Sequence, residues 1–163
     1  MVLDIETAKG QETLAQEDEA VEIFEEWFPG YSYLRTPKSS PSPVDAVIGH
    51  KGNIVSVVEC KCRIMSLSTL RGQFNNEWLV TYQKLKEGIA IASALHVPYT
   101  GFLFVLPERK LLIQKIWVPG KGYIPRMRSE VTETQATVNG GLANRLNAFI
   151  DMSEAQVYDR PPF

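Results

Sequence analysis

Two apolar runs of this sequence carry charged side chains where a hydrophobic core is expected. The stretch PSPVDAVIGHKGNIVSVVECKCR, residues 41–63, contains two strand-like segments joined by the turn HKGN, in which Gly52 can take the positive φ that a short hairpin connection requires. The pattern therefore predicts a β-hairpin. Asp45 stands at the head of its first strand, and Glu59 and Lys61 share one face of its second. Because unpaired carboxylates are costly in apolar surroundings, these side chains indicate a functional site.

The remaining periodicity predicts an α/β fold with the element order α-β-β-β-α-β-β, followed by a C-terminal extension. In that extension, the segment LANRLNAFI fits a short helix and a returning strand equally well. The elements predicted before it are a helix over residues 12–28, a strand at 31–36, the hairpin, a helix over 77–97, and strands at 99–106 and 110–118.

Chain length favours a single domain. The 163 residues suffice for one hydrophobic core, which we place at about residues 12–118, with 119–163 as the extension. The apolar runs are shorter than the ~20 residues that span a bilayer, and the N-terminus lacks the pattern of a signal peptide. We therefore expect a cytoplasmic protein without a membrane partner.

The charge distribution is uneven. The net charge is −2, yet residues 1–30 hold nine acids and one base, and the remainder holds ten acids and sixteen bases. A basic body can bind nucleic acid phosphates if the acidic helix faces away from them. The basic residues that we expect to contact DNA are Arg35, Lys38, Arg63, Arg71, Lys84 and Lys86.

The charged residues of the hairpin have the chemistry of a magnesium-dependent phosphodiesterase. Asp45 and Glu59 offer the hard oxygen ligands that Mg²⁺ prefers, and the backbone carbonyl of Cys60 can add another. A bound metal activates water and stabilises charge on the scissile phosphate. Lys61 is then placed to orient the water or to stabilise the transition state.

Glu17 is an outlier in the first predicted helix. Most acids of this helix fall on its solvated side, whereas Glu17 falls within the apolar arc, one turn before Val21 and two before Phe24. Its carboxylate is therefore expected to face the sheet, where it can hold a second metal or the water of that metal.

At Asp45 and Glu59-Cys60-Lys61 the sequence resembles the PD-(D/E)xK nuclease superfamily. The helix EDEAVEIFEEWFPGYSYLR resembles the N-terminal helix of archaeal-type Holliday junction resolvases and matches their glutamate at Glu17. The segments PYTGFLFV and KLLIQKIWV resemble the last two strands of that family's sheet. The family's Pro-Asp pair is interrupted here, since Val44 separates Pro43 from Asp45.

This resemblance implies a restriction-endonuclease-like fold with a central mixed β-sheet flanked by helices. It implies a homodimer that cuts four-way DNA junctions with Mg²⁺, or with Mn²⁺ as a substitute. It also implies a serine of the mobile loop at the DNA, for which Ser39, Ser40 and Ser42 are all available. It further implies a glutamine or lysine of the second helix near the metal, for which Gln83, Lys84 and Lys86 are candidates.

Three alternatives remain open at this point. The same metal chemistry serves a RecB-like or phage-type exonuclease and a flap or repair nuclease. A catalytically silent DNA-binding module retains the basic body without the reaction. A purely structural interpretation has Asp45 capping a turn, Glu59 paired with Lys61, and Glu17 as a partly exposed helix acid. Asp and Glu-x-Lys with a free gap also occur by chance.

Overall fold

The computed structural model of the chain describes residues 8–37, 42–137 and 140–160. These ranges contain three helices and ten strands. In chain order they are α1 (Ala8–Trp27), β1 (Tyr31–Arg35), β2 (Ala46–His50), β3 (Asn53–Arg63), α2 (Leu67–Arg71), β4 (Glu77–Thr81), α3 (Tyr82–Leu95), β5 (Tyr99–Val105), β6 (Lys110–Val118), β7 (Gly122–Tyr123), β8 (Met127–Thr137), β9 (Gly140–Asp151) and β10 (Gln156–Tyr158).

A mixed sheet lies at the centre of the fold. Its strand order is β1-β2-β3-β5-β6-β10, with β7 paired to β6. Neighbouring strands are antiparallel except for β3 and β5, which are parallel and are connected by a crossover that contains α3. The expected central mixed sheet flanked by helices is confirmed.

The predicted hairpin is formed by β2 and β3. Lys51 and Gly52 both have positive φ, 50° and 79°, as a tight two-residue hairpin turn requires. Ala46 pairs with Val58 in this hairpin. Extending that antiparallel register by one residue places Asp45 opposite Glu59.

Helices α1 and α3 cover opposite faces of the central sheet. Alternation along β3 directs Val57 to the α3 side and Val58 to the α1 side, where each lies in a separate apolar core. The α1 core includes Ala20, Ile23, Phe24, Tyr33, Ala46, Phe102 and Phe104, and the α3 core includes Leu85, Ala92, Tyr99, Leu103, Leu112, Ile116 and Ile150.

The second predicted helix begins later than its apolar pattern indicates. Residues Glu77–Thr81 form strand β4, and α3 begins only at Tyr82. Trp78 and Val80 are buried in alternation, and β4 pairs with β9. The strand therefore follows from a distant partner. Together with the short helix α2, capped by the Ser66 side chain, it inserts two elements into the predicted order.

The C-terminal part of the chain belongs to both sheets. The segment LANRLNAFI lies in strand β9, which joins β4 and β8 in a second, antiparallel sheet. Ala148, Ile150 and Met152 are buried in the α3 core, and β10 extends the central sheet. The core therefore reaches well beyond residue 118, the limit that the sequence predicted. Among the described residues, no helix is long and apolar enough to span a membrane.

Candidate metal centre

Two carboxylates face each other across the β2–β3 pairing. Glu59 lies in the middle of β3, between β2 and β5, and none of its surface is exposed. Asp45 immediately precedes β2; its backbone N–H donates to the Val58 carbonyl at 3.1 Å, and its Oδ2 accepts from the Cys60 N–H at 2.7 Å. Backbone hydrogen bonds thus fix Asp45 beside Glu59.

Two lysine side chains complete the cluster. Lys61 Nζ lies 3.2 Å from Glu59 Oε1 on the same strand face. Lys84, in the first turn of α3, places its Nζ 3.3 Å from Glu59 Oε1 and 3.5 Å from Asp45 Oδ1. Lys84 is among the predicted DNA contacts, whereas these ion pairs place it within the carboxylate cluster. Of the three second-helix candidates for a place near the metal, Gln83, Lys84 and Lys86, the packing of α3 on the sheet brings Lys84 to the carboxylates.

Burial and charge shift the pKa values of this cluster. Burial raises the pKa of Glu59, and the charge of Asp45 raises it further, while the charges of Lys61 and Lys84 act against that rise without cancelling it. Burial alone would lower the pKa of Lys84, but the charges of Glu59 and Asp45 outweigh it and raise that pKa. These shifts favour the charged form of Lys84 and the neutral form of Glu59.

One oxygen of the Glu59 carboxylate accepts no hydrogen bond among the described residues. Oε1 lies 3.2 Å from Lys61 Nζ and 3.3 Å from Lys84 Nζ, whereas the buried Oε2 accepts no hydrogen bond in the described part of the chain. A buried carboxylate oxygen in this state is costly, and a metal cation would satisfy it. The residues present therefore fit a divalent metal ion.

The magnesium ion expected from the sequence stays a prediction. Over residues 8–37, 42–137 and 140–160, no group of three or more His, Cys, Asp and Glu side chains is arranged to hold a metal. Mg²⁺ needs only one or two carboxylates because it retains several waters. Asp45 and Glu59 meet that requirement as a pair.

Glu17 is buried as the helical arc predicts. It is 7% exposed, accepts a hydrogen bond from Tyr33 Oη at 3.1 Å and lies 3.9 Å from Arg35 Nε. These contacts place it on the α1 side of the sheet, whereas Glu59 faces α3. Its role at a second metal stays a prediction.

The Cys60 thiol points away from Glu59. It lies in the α1 core with the thiol of Cys62, and both cysteines are free. Its contact with Cys62, together with burial, raises the pKa of the Cys60 thiol, so it remains protonated. Its backbone carbonyl, and not its sulfur, therefore remains the predicted metal ligand.

The residues predicted to contact DNA are dispersed. Lys38, Ser39 and Ser40 lie outside the described residues. Arg35 pairs with Asp18 at 2.5 Å as well as with Glu17, Arg63 is half-buried, and burial lowers its pKa. Exposed positions are occupied by Arg71 at the end of α2, and by Gln83 and Lys86 on α3.

Two residues that the sequence analysis omitted shape the site. Burial raises the pKa of Tyr99, and the nearby charges of Glu59 and Asp45 raise it further. A Cβ built on Gly88 of α3 would lie 2.3 Å from Tyr99 Cε2. Gly88 therefore lets α3 approach the sheet closely, one turn beyond Lys84. A glycine within a helical pattern was the available signal.

No protein-family model matches the chain, and no curated protein matches it. Among solved structures it is similar to Hjc of Archaeoglobus fulgidus, a Holliday junction resolvase from an archaeal hyperthermophile. The identity is 19%, the match covers 64% of this chain and 75% of that chain, and the TM-score is 0.46.

Proposed function

We propose that the protein is a magnesium-dependent DNA nuclease whose centre consists of Asp45, Glu59 and Lys61. The supporting observation is the wholly buried Glu59 carboxylate, whose Oε2 accepts no hydrogen bond among the described residues, which faces Asp45 and which has Lys61 on its own strand face. Asp45 raises the pKa of Glu59 and so opposes ionisation of the Glu59 carboxylate. If Glu59 and Lys61 formed only a structural ion pair, a second carboxylate opposite Glu59 would weaken that pair.

Each residue of this centre has a distinct proposed role. Asp45 and Glu59 hold the metal, together with the backbone carbonyl of Cys60. A divalent ion held there would supply an activated water and would offset negative charge on the phosphate. Lys61 orients the attacking water or stabilises the transition state through its ammonium group. Glu17 holds a second metal or its water.

The finer proposal is a homodimer that resolves four-way DNA junctions. The basic balance of residues 31–163 supports binding to phosphates. The resemblance of Asp45, Glu59-Cys60-Lys61 and the Glu17 helix to junction resolvases supports the substrate. Two equivalent centres related by a two-fold axis would explain paired cuts in opposite strands.

The test is a cleavage assay with labelled four-way junction, flap, duplex and single-stranded DNA, each with Mg²⁺ or with EDTA. Asp45→Asn and Glu59→Gln should each abolish Mg²⁺-dependent cleavage yet retain DNA binding, because each removes a ligand charge at nearly constant volume. Near-normal cleavage by either variant would refute the metal assignment. Cleavage confined to linear ends would indicate an exonuclease, and binding without cleavage a silent module.

Matched controls separate the site from the fold. Cys60→Ala lies on the other face of the strand and should retain cleavage, with only a packing cost. Glu26→Gln alters an exposed acid of α1 and should also retain it. Glu17→Gln should impair cleavage strongly if its carboxylate serves a metal, and should match Glu26→Gln in cleavage rate if it serves only to bind Tyr33.

A further inference from the structure

Lys84 is the one lysine whose contacts, among the described residues, include both proposed ligand carboxylates. Its Nζ is 3.3 Å from Glu59 Oε1 and 3.5 Å from Asp45 Oδ1, whereas the ion pair of Lys61 is with Glu59. The ammonium group therefore lies at the gap between the two acids. It arrives there from α3, and Lys61 arrives from the sheet.

This gap is also where a divalent cation would bind. Mg²⁺ coordinates carboxylate oxygens at about 2.0–2.1 Å, so an ion held by the carboxylates of both Asp45 and Glu59 would take the place that the Lys84 ammonium group occupies between them. An ammonium group in contact with the same oxygens competes for that space, and its charge repels the metal at short range. The two cations therefore exclude each other from the gap.

We infer that Lys84 is the resident counter-ion of this centre, neutralising Asp45 and Glu59 without metal and leaving the gap when a divalent cation binds. This inference rests on the proposed function, because it needs the two carboxylates to be metal ligands. The Lys84 side chain is 28% exposed at the first turn of α3, and its flexible stem gives the ammonium a path to solvent. There it can contact a phosphate.

Displacement lowers the apparent metal affinity. The apparent dissociation constant of a site equals its intrinsic dissociation constant divided by the fraction of time that the site is open. If Lys84 occupies the gap for about nine-tenths of the time, removing its charge should tighten Mg²⁺ binding about tenfold. Removing the charge of Lys61 should tighten Mg²⁺ binding less, because the ion pair of Lys61 is with Glu59 rather than with both acids.

The experiment is isothermal titration of the DNA-free protein with MgCl₂. The wild type is compared with Lys84→Met, which keeps the apolar stem, with Lys61→Met, and with Lys121→Met as an exposed control away from the site. The result expected is about tenfold tighter binding for Lys84→Met alone. Equal affinities of Lys84→Met and wild type, or equal gains in Lys84→Met and Lys61→Met, would overturn the inference.

Asp45→Asn and Glu59→Gln distinguish this failure from failure of the proposed function. If both variants lose Mg²⁺ binding while Lys84→Met binds like wild type, the metal centre stands and the counter-ion role is wrong. If Mg²⁺ binding persists unchanged in both variants, or is absent from every protein including Lys84→Met, the proposed centre is wrong and the inference is wrong with it.

A second measurement uses the wild-type protein and so does not depend on a variant that folds. Lysines are methylated reductively with Mg²⁺ or with EDTA, and the modification of each site is followed by mass spectrometry. Departure of Lys84 from the gap should increase its labelling rate when metal is bound, while the rate at exposed Lys121 stays constant. An unchanged or lower rate at Lys84 with saturating Mg²⁺ would refute displacement.

Discussion

Replacing Gly88 by alanine tests how closely α3 must approach the sheet. A Cβ at this position would lie 2.3 Å from Tyr99 Cε2 and 2.9 Å from Cζ. Normal carbon contacts lie at about 3.5–4.0 Å, so the ring or the helix must move by ~1 Å. The Tyr99 ring is wholly buried, so neighbouring core side chains oppose its movement.

Two opposing effects set the magnitude. Overpacking of this kind costs about 1–3 kcal/mol, whereas alanine is favoured over glycine inside a helix by about 1 kcal/mol. The strain exceeds the helical gain because both contacting atoms belong to a buried ring in the core. We therefore expect Gly88→Ala to lower the free energy of unfolding by about 1 kcal/mol, and the melting temperature by about 2–4 °C.

Urea denaturation of a double-mutant cycle measures this effect. The second substitution, Tyr99→Leu, removes the ring that the new Cβ would meet. In that background Gly88→Ala should stabilise the protein, so that the sign of its effect reverses. A gain of the full helical ~1 kcal/mol in the wild-type background would refute the proposed close packing of α3.

Two further predictions concern pH and buried hydroxyl groups. Because the pKa of Glu59 is raised, the native state binds the Glu59 proton more tightly than the unfolded chain does. The contribution of Glu59 to stability therefore falls as pH rises from the unfolded pKa of about 4.3 through the raised folded pKa. Glu59→Gln should remove that fall in urea denaturation of the metal-free protein at several pH values, and an unchanged pH profile of the variant would contradict this prediction. The Tyr99 hydroxyl has no hydrogen-bond partner among the described residues, so Tyr99→Phe should raise stability by ~1 kcal/mol, whereas Tyr33→Phe loses the bond to Glu17 and should lower it by ~1 kcal/mol. Equal shifts of the two melting temperatures would show this reasoning to be wrong.

The sequence predicts the hairpin and its charged face because both depend on local rules. Gly52 allows the turn, and alternation along β3 separates Glu59 and Lys61 from Cys60. The burial of Glu17 follows in the same way from the helical period. Each of these features is determined by neighbours within a few residues, so one sequence suffices to find it.

The start of α3 depends on distant partners and could not be predicted. Leu79 and Tyr82 fit a helical stripe, yet the segment before Tyr82 is a strand because β9, far along the chain, pairs with it. The same helix delivers Lys84 to the carboxylates. Its basic character is visible in the sequence, but its partners follow only from how α3 packs on the sheet.

The burial of Glu59 has a cost that the fold alone does not explain. An apolar residue at this position of β3 would extend the α3 core beside Val57, and buried ion pairs seldom stabilise a protein more than apolar packing does. Lys61 and Lys84 are both partly exposed, so solvent weakens the attraction that they offer to Glu59. Asp45 adds a second negative charge to the same place. A net cost of this kind is expected where ligand binding, rather than folding, is the reason for the residues, and the proposed divalent cation would relieve it.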